Sequence, residues 1–358
     1  MVFFIVEYFV LYILLQSHIV SATALSIPTT IRGRDFQPRA VHQFPNETWV
    51  ENLYIRSNGN ILATVLSSSD LYLIDPFEDS GENAVLLHSF PGSMGLAGIT
   101  EIKPDVYAVI AGNWSDVIFA TTPGSYSVWE VDLTCYKNKE KDNGVEVRKI
   151  AEMPQAGFLN GMILLGTEKE VVLISDAYLG VIWKLDMKTA KYEVVLDEPE
   201  MKDAPNPIAI LGVNGIKLRQ GFLYFTCSTQ EIFARVAINA DGTKKADTKV
   251  EILATGIFGD DFTIDRDGNA WIAADPVNTL YRVTLDGKVT IVLGSPTGGR
   301  GVVAGITAAR FGVTQKDRDI LYLTSNGGIP SLVNEGTIVG GRIMAVDTKG
   351  LNCSIFQL

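Results

Sequence analysis

The chain has 358 residues, 47% of them hydrophobic, with 33 glycines, three cysteines and a net charge of -11 at neutral pH. That acidity, with no lysine or arginine cluster, argues against nucleic acid and anionic lipid surfaces as partners. The length is long for one ordinary domain and suits a closed ring of repeats, in which abundant glycine supplies the turns between buried strands.

Met1 to Ala24 reads as a secretory leader. It is apolar from Val2 to Leu15 and ends in the small-residue site Ala22-Thr23-Ala24. Glu7 and the lack of an early basic residue depart from the usual pattern, and the competing reading is a retained membrane anchor. Cleavage places the mature protein on the secretory route, secreted or in an endomembrane lumen, with no further membrane contact. Three acceptor triplets, at Asn46, Asn113 and Asn352, agree with that route.

After the leader, short β-rich runs recur in groups of four. The first group opens at Glu51 and continues through Ile61-Leu62-Ala63-Thr64-Val65, Leu71-Tyr72-Leu73-Ile74 and Ala84-Val85-Leu86-Leu87. Further groups open near Gly98, Asn160, Asn214, Asp260 and Gly305. The fifth is the cleanest, with Asp-Gly turns at Asp267-Gly268 and Asp286-Gly287 between its strands. Four antiparallel strands in about 40 residues is the size of one propeller blade. The sixth group lacks a fourth strand. Arg39 to Pro45 supplies it, because Val41-His42-Gln43-Phe44-Pro45 matches the fourth strand Leu87-His88-Ser89-Phe90-Pro91 of the first group. An all-β, six-bladed β-propeller closed by its N-terminal strand is predicted over residues 25–358, without an exposed sheet edge.

Cys227, inside an apolar strand, reads as a buried free thiol, which leaves Cys135 and Cys353 as the pair available for a disulfide. The histidines argue against imidazole-dependent hydrolysis. His18 lies in the leader, and His42 and His88 fall on outermost strands away from any central site. Gly298-Gly299-Arg300-Gly301 precedes a strand and reads as a connection into the sixth blade.

In a propeller the first strands line the central channel, so their openings converge. Glu51, Asn160, Asn214 and Asp260 therefore meet there as an oxygen-only set suited to a hard cation such as calcium. The plainer reading is turn chemistry at strand starts. Trp49, Trp114, Phe158, Tyr178 and Phe262 fall in the loops above them, whereas Trp129, Trp183 and Trp271 sit within strands and read as core. The long loop from Ser325 to Gly341 is the lid candidate, with Arg300 and Thr307 as donors beside it.

This layout resembles the senescence marker protein and gluconolactonase family, with Glu51 at the first opening, Asn160-Gly161 and Asn214-Gly215 at the third and fourth, and Asp260 at the fifth. The resemblance implies a divalent metal on those four residues that polarises a lactone or ester. The family's Glu-Gly-Pro opening is Glu51-Asn52-Leu53 here, and its Asp-Gly is Asp260-Asp261. In leader, length and this loosened form of the motifs, the chain is similar to the fungal hetero-Diels-Alderases of tropolone sesquiterpenoid biosynthesis. That similarity implies a cycloaddition between a tropolone quinone methide and a humulene-type terpene, with small-molecule partners and no required cofactor. Asn160, Asn214, Arg300 or Thr307 would then bond the diene carbonyl, and the five loop aromatics would bind substrate. Three functions follow: a pericyclase, a calcium-dependent lactonase or esterase, and a secreted ligand-binding propeller without catalysis.

Overall fold

The computed structural model describes residues 29–30, 38–78, 82–115, 120–137, 144–166, 170–205, 210–275, 277–295, 303–329 and 338–349. They form six blades of antiparallel strands, each sheet ordered from first to fourth strand. The first strands are Val50–Ile55, Gly95–Lys103, Leu159–Gly166, Val213–Arg219, Phe262–Ile264 and Ile306–Phe311. Each touches the next, and the sixth touches the first, so the ring is closed around a central channel.

Second strands such as Ile61–Val65 and Ala270–Ala274 are buried at every position, because both faces of an inner strand are covered by neighbouring blades. Fourth strands such as Glu251–Thr255 are largely open to solvent. The core is accordingly six separate apolar seams, one at each blade interface, from Leu62, Leu96 and Tyr107 between blades 1 and 2 to Leu53, Ala308 and Tyr322 between blades 6 and 1.

Closure follows the expected route. Arg39–Gln43 pairs antiparallel with Arg342–Asp347, with Arg39 opposite Ala345 and Gln43 opposite Arg342. The match to the first blade extends to side chains: His42 packs edge-on against Phe44 at 4.6 Å, and His88 against Phe90 at 4.8 Å. One pairing was not foreseen. Thr29–Thr30 lies parallel to the fourth strand of blade 5, Val289–Gly294, so the N-terminal chain binds two blades in succession.

The leader, Gly298 to Gly301 with Arg300, the glycosylation acceptor Asn352 and the disulfide candidate Cys353 lie outside the described residues. So do residues 330–337 of the lid candidate. No helix among the described residues is long and apolar enough to cross a membrane. Asn46 is exposed on the turn after the closing strand, Asn113 is half-buried, and Cys135 is exposed. Cys227 is buried in blade 4, where burial pushes its thiol up to about 12.

Candidate functional site

Five first strands carry a bulge near their start. The pairing register shifts between Val50 and Asn52, Leu96 and Ile99, Leu159 and Met162, Val213 and Ile216, and Ile306 and Ala309. A hydroxyl on the second strand fills four of them. Thr64, Ser175, Thr226 and Thr324 accept the backbone N–H of Asn52, Gly161, Gly215 and Ala308 at 3.1, 2.8, 3.0 and 3.0 Å. These hydroxyls then donate to the next blade: Thr64 to the Ala97 carbonyl, Ser175 to that of Asn214, Thr226 to that of Asp260 and Thr324 to that of Glu51, at 2.7, 2.5, 2.6 and 3.4 Å. Asn-Gly suits such a position. The β-carbon that Gly161 lacks would lie 2.6 Å from the Asn214 carbonyl, so only glycine lets the strands converge while the preceding residue turns inward.

The bulges aim Glu51, Asn160 and Asn214 at the axis, and Asp260 occupies the matching place in blade 5. All four are buried. The Asn160 amide of blade 3 acts on Glu51 of blade 1, and that of Asn214 on Asp260, each favouring the ionised carboxylate, while Asn214 Nδ2 donates to Ser228 Oγ at 3.1 Å. Burial, reinforced by the charge of Asp261, pushes the Glu51 carboxyl up to about 7 against the lowering effect of Trp49 and Asn160. Asp260 is held well above the usual carboxylate range, first by burial and then by the charges of Glu51, Asp275 and Asp261. Asp275, which the sequence reading did not single out, is raised in the same way by burial and Glu51. Its Oδ2 accepts Asn326 Nδ2 at 2.7 Å. Three carboxyl groups thus share one desolvated space and favour holding protons.

Asn160 Oδ1 and Asn214 Oδ1 are buried without a hydrogen-bond partner. With the Glu51 and Asp260 carboxylates they form an oxygen-only set that fits a calcium-like cation. Among the described residues, no group of three or more acidic, histidine or cysteine side chains forms such a site by itself.

An aromatic wall stands beside this cluster. Trp49 precedes blade 1, Trp114 lies on a two-stranded hairpin of blade 2 formed by Trp114–Ser115 and Ala120–Thr121, and Phe158 precedes blade 3. Trp114 stacks on Phe158 at 5.1 Å and meets Trp49 edge-on at 6.2 Å. Leu66 and Ile329, the latter from the described start of the lid candidate, complete the patch. Asp176 holds the backbone under Phe158: it accepts Gly157 N at 2.8 Å, Phe158 N at 2.9 Å and Trp183 Nε1 at 3.1 Å. Tyr178 sits on the adjoining turn, 40% exposed, at the rim.

Two sequence expectations are corrected. Phe262 lies in the seam between blades 4 and 5, edge-on to Phe233 at 5.1 Å, because strand alternation turns it away from the axis once Asp261 occupies the hub. Thr307 donates its single hydroxyl proton to the Val50 carbonyl at 2.7 Å, which ties blade 6 to blade 1 and leaves no donor for a ligand. Trp183 and Trp271 are core, as expected, and Trp129 packs partly buried against it. Asn52, Asp261 and Lys217 escaped the reading. Their signal was present in Asn52 and Asp261, which stand where the other blades carry glycine or alanine.

The chain is 30% identical over 308 residues to a Phoma sp protein bearing the assigned name hetero-Diels-Alderase, across 80% of this chain and 86% of that one. It is 28% identical over 345 residues to a protein of Sarocladium schorii assigned as hetero-Diels-Alderase asR5, across 88% and 84%. Two solved structures share the fold. Regucalcin, a calcium-binding protein of Agrobacterium tumefaciens, superposes with a TM-score of 0.57 at 17% identity, over 87% of this chain and 93% of its own. A gluconolactonase of Xanthomonas campestris superposes with a TM-score of 0.53 at 11% identity, over 92% and 99%. No family model matches the chain.

Proposed function

The chain belongs to the hetero-Diels-Alderase family, and on that premise we propose that it is a pericyclase joining a tropolone quinone methide to a humulene-type terpene. The reaction forms one C–O and one C–C bond between an oxygen-terminated diene and an alkene. It moves three electron pairs around a ring, releases no leaving group and transfers no proton. It therefore asks the protein for two things, a geometry that brings the termini together and a donor on the diene oxygen.

The observation that carries this reading is the juxtaposition of an aromatic wall, through the Trp49–Glu51 hydrogen bond, with buried carboxyl groups whose hold on protons is strengthened by burial. Half-buried Trp114, backed by the buried rings of Trp49 and Phe158, offers an apolar surface for the conjugated ring and the terpene. In its protonated form, which burial favours, Glu51 presents an O–H to the carbonyl, which lowers the energy of the acceptor orbital without reorganising solvent. Holding two reactants in near-attack geometry can account for about 7 to 11 kcal/mol of barrier lowering. The test is reaction of a quinone methide generated in situ with humulene, read by chiral chromatography. Enantioenriched adduct above the spontaneous rate supports the reading, and racemic adduct at the spontaneous rate overturns it for this pair.

A second reading draws on the unpartnered Asn160 and Asn214 oxygens. Glu51, Asn160, Asn214 and Asp260 would hold calcium, which when bound polarises an ester or lactone carbonyl. Lactone turnover abolished by chelator would favour it.

A further inference from the structure

One residue beyond the cation-type position, each first strand contributes a second hub residue: Asn52, Gly98, Gly161, Gly215, Asp261 and Ala308 in blade order. The equivalence is structural. Asn52, Gly161, Gly215 and Ala308 make the same backbone bond to a second-strand hydroxyl. Gly98 and Asp261 stand directly before Ile99 and Phe262, which pair with Val109 and Ile272 as Leu53 pairs with Ala63. Four of the six are glycine or alanine. The two that carry longer side chains are bonded to each other, Asn52 Nδ2 donating to Asp261 Oδ2 at 2.9 Å.

Blade 6 lies between blades 5 and 1, so this bond spans the channel. Asp261 Oδ1 is held by Lys217 Nζ at 2.5 Å and by the backbone N–H of Phe262 at 2.7 Å. Asn52 Oδ1 accepts Leu53 N at 2.9 Å, and Lys217 Nζ also sits 5.2 Å over the Phe262 ring. Asn52 and Asp261 are 6% and 5% exposed. A buried ion pair is a poor device for stability alone, since its desolvation offsets most of its attraction. Glycine at both positions would have matched the other blades.

We propose that Asn52 and Asp261, backed by Lys217, are positioning residues that plug the channel one residue beyond the carboxyl and amide cluster and close it to solvent from that end. A through-channel would carry a column of water to the diene oxygen, where it would compete for the donor and attack the electrophilic methide carbon. The plug excludes that column and sets the depth at which the apolar reactants stop. The plug follows from geometry; its catalytic consequence rests on the cycloaddition reading.

The test uses the full chain with three changes: Asn52→Gly, Asp261→Gly, and the exchange Asn52→Asp with Asp261→Asn, which preserves a cross-channel bond. Hydrogen–deuterium exchange of the hub amides of Gly161, Gly215 and Ala308 reads solvent entry without any reaction. Adduct stereoselectivity and the KM-against-kcat split read its consequence. Asn52→Gly should raise hub exchange about tenfold or more while the outer strands stay unchanged, and should lower stereoselectivity and kcat more than it raises KM. The exchange pair should restore both. Hub exchange at the wild-type level in Asn52→Gly, or an exchange pair that behaves like the glycine variants, overturns the plug. Where Asp261→Gly fails to fold because Lys217 is stranded, Asn52→Gly carries the test with the ion pair intact. A hub-exchange response in a protein that forms no adduct keeps the plug and sinks the cycloaddition reading instead.

Discussion

Trp49 Nε1 donates a hydrogen bond to Glu51 Oε2 at 2.6 Å, so one residue of the aromatic wall is fastened to the carboxyl group at the hub. The two are only two positions apart, on the segment that leads into the bulge of blade 1. Any motion of the wall is therefore felt by a buried acid of the site.

That bond lowers the Glu51 carboxyl, which burial has already pushed up to about 7. Trp49→Phe keeps an aromatic face and removes the N–H, so the carboxyl should climb further and the alkaline limb of the rate profile should move to higher pH. Trp49→Ala removes the face as well and should cost about 1 to 3 kcal/mol of barrier lowering. Rate against pH for the wild type and both variants checks this, and identical limbs in wild type and Trp49→Phe would detach Glu51 from the reaction.

Stability should fall as pH rises. Glu51, Asp260 and Asp275 all hold protons more tightly in the folded chain than their ordinary values allow. The folded state therefore binds more protons than the unfolded chain, and unfolding free energy declines with pH across that window. For Glu51 the contribution is complete below its ordinary value of 4.5 and is lost as pH rises through about 7. It is worth on the order of 3 kcal/mol. Thermal midpoints at pH 5 and pH 8 should show the decline, and Glu51→Gln should flatten it.

Calcium should act in the opposite sense. A cation on Glu51, Asn160, Asn214 and Asp260 needs deprotonated carboxylates, so added calcium should raise the midpoint more at pH 8 than at pH 5, with chelator reversing the gain. Asn160→Ala removes one unpartnered oxygen and should weaken the response. A midpoint indifferent to calcium at both pH values would remove the cation reading.

Asp176 should be a structural keystone with a functional readout. Its two oxygens accept Gly157, Phe158, Tyr178 and Leu179 N–H groups and the Trp183 indole. Asp176→Asn turns one acceptor face into a donor against other donors and should cost about 3 kcal/mol. Since the affected backbone carries Phe158, stereoselectivity should drop even well below the melting temperature. Denaturant unfolding together with product ratio separates the two effects.

Deleting the chain through Pro45 should lower the melting midpoint by about 10 °C or more, because blade 6 loses its fourth strand and exposes an edge. A shorter deletion through residue 37 removes, among the described residues, the parallel pairing of Thr29–Thr30 with blade 5 and should have a smaller effect. Limited proteolysis at blade 6 provides an independent check.

The number of blades and the closing strand were legible in the amino-acid order. Strand periodicity and Asp-Gly turns are local properties, and a repeat has to bury its faces against copies of itself. The match of His42 with His88 was enough to assign the missing strand. What each opening touches was not legible. Asn52 and Asp261 are 209 positions apart, and only the curvature of a closed ring sets them across one channel. Asp275 and Asn326 belong to ordinary loop segments in sequence and become part of the hub only where blades 5 and 6 lean together. Phe262 and Thr307 were misjudged for the same reason. A bulge or a single-residue step decides whether a side chain meets the axis or a seam, and that step is set by hydroxyls donated from a neighbouring strand, a relationship that linear spacing does not encode.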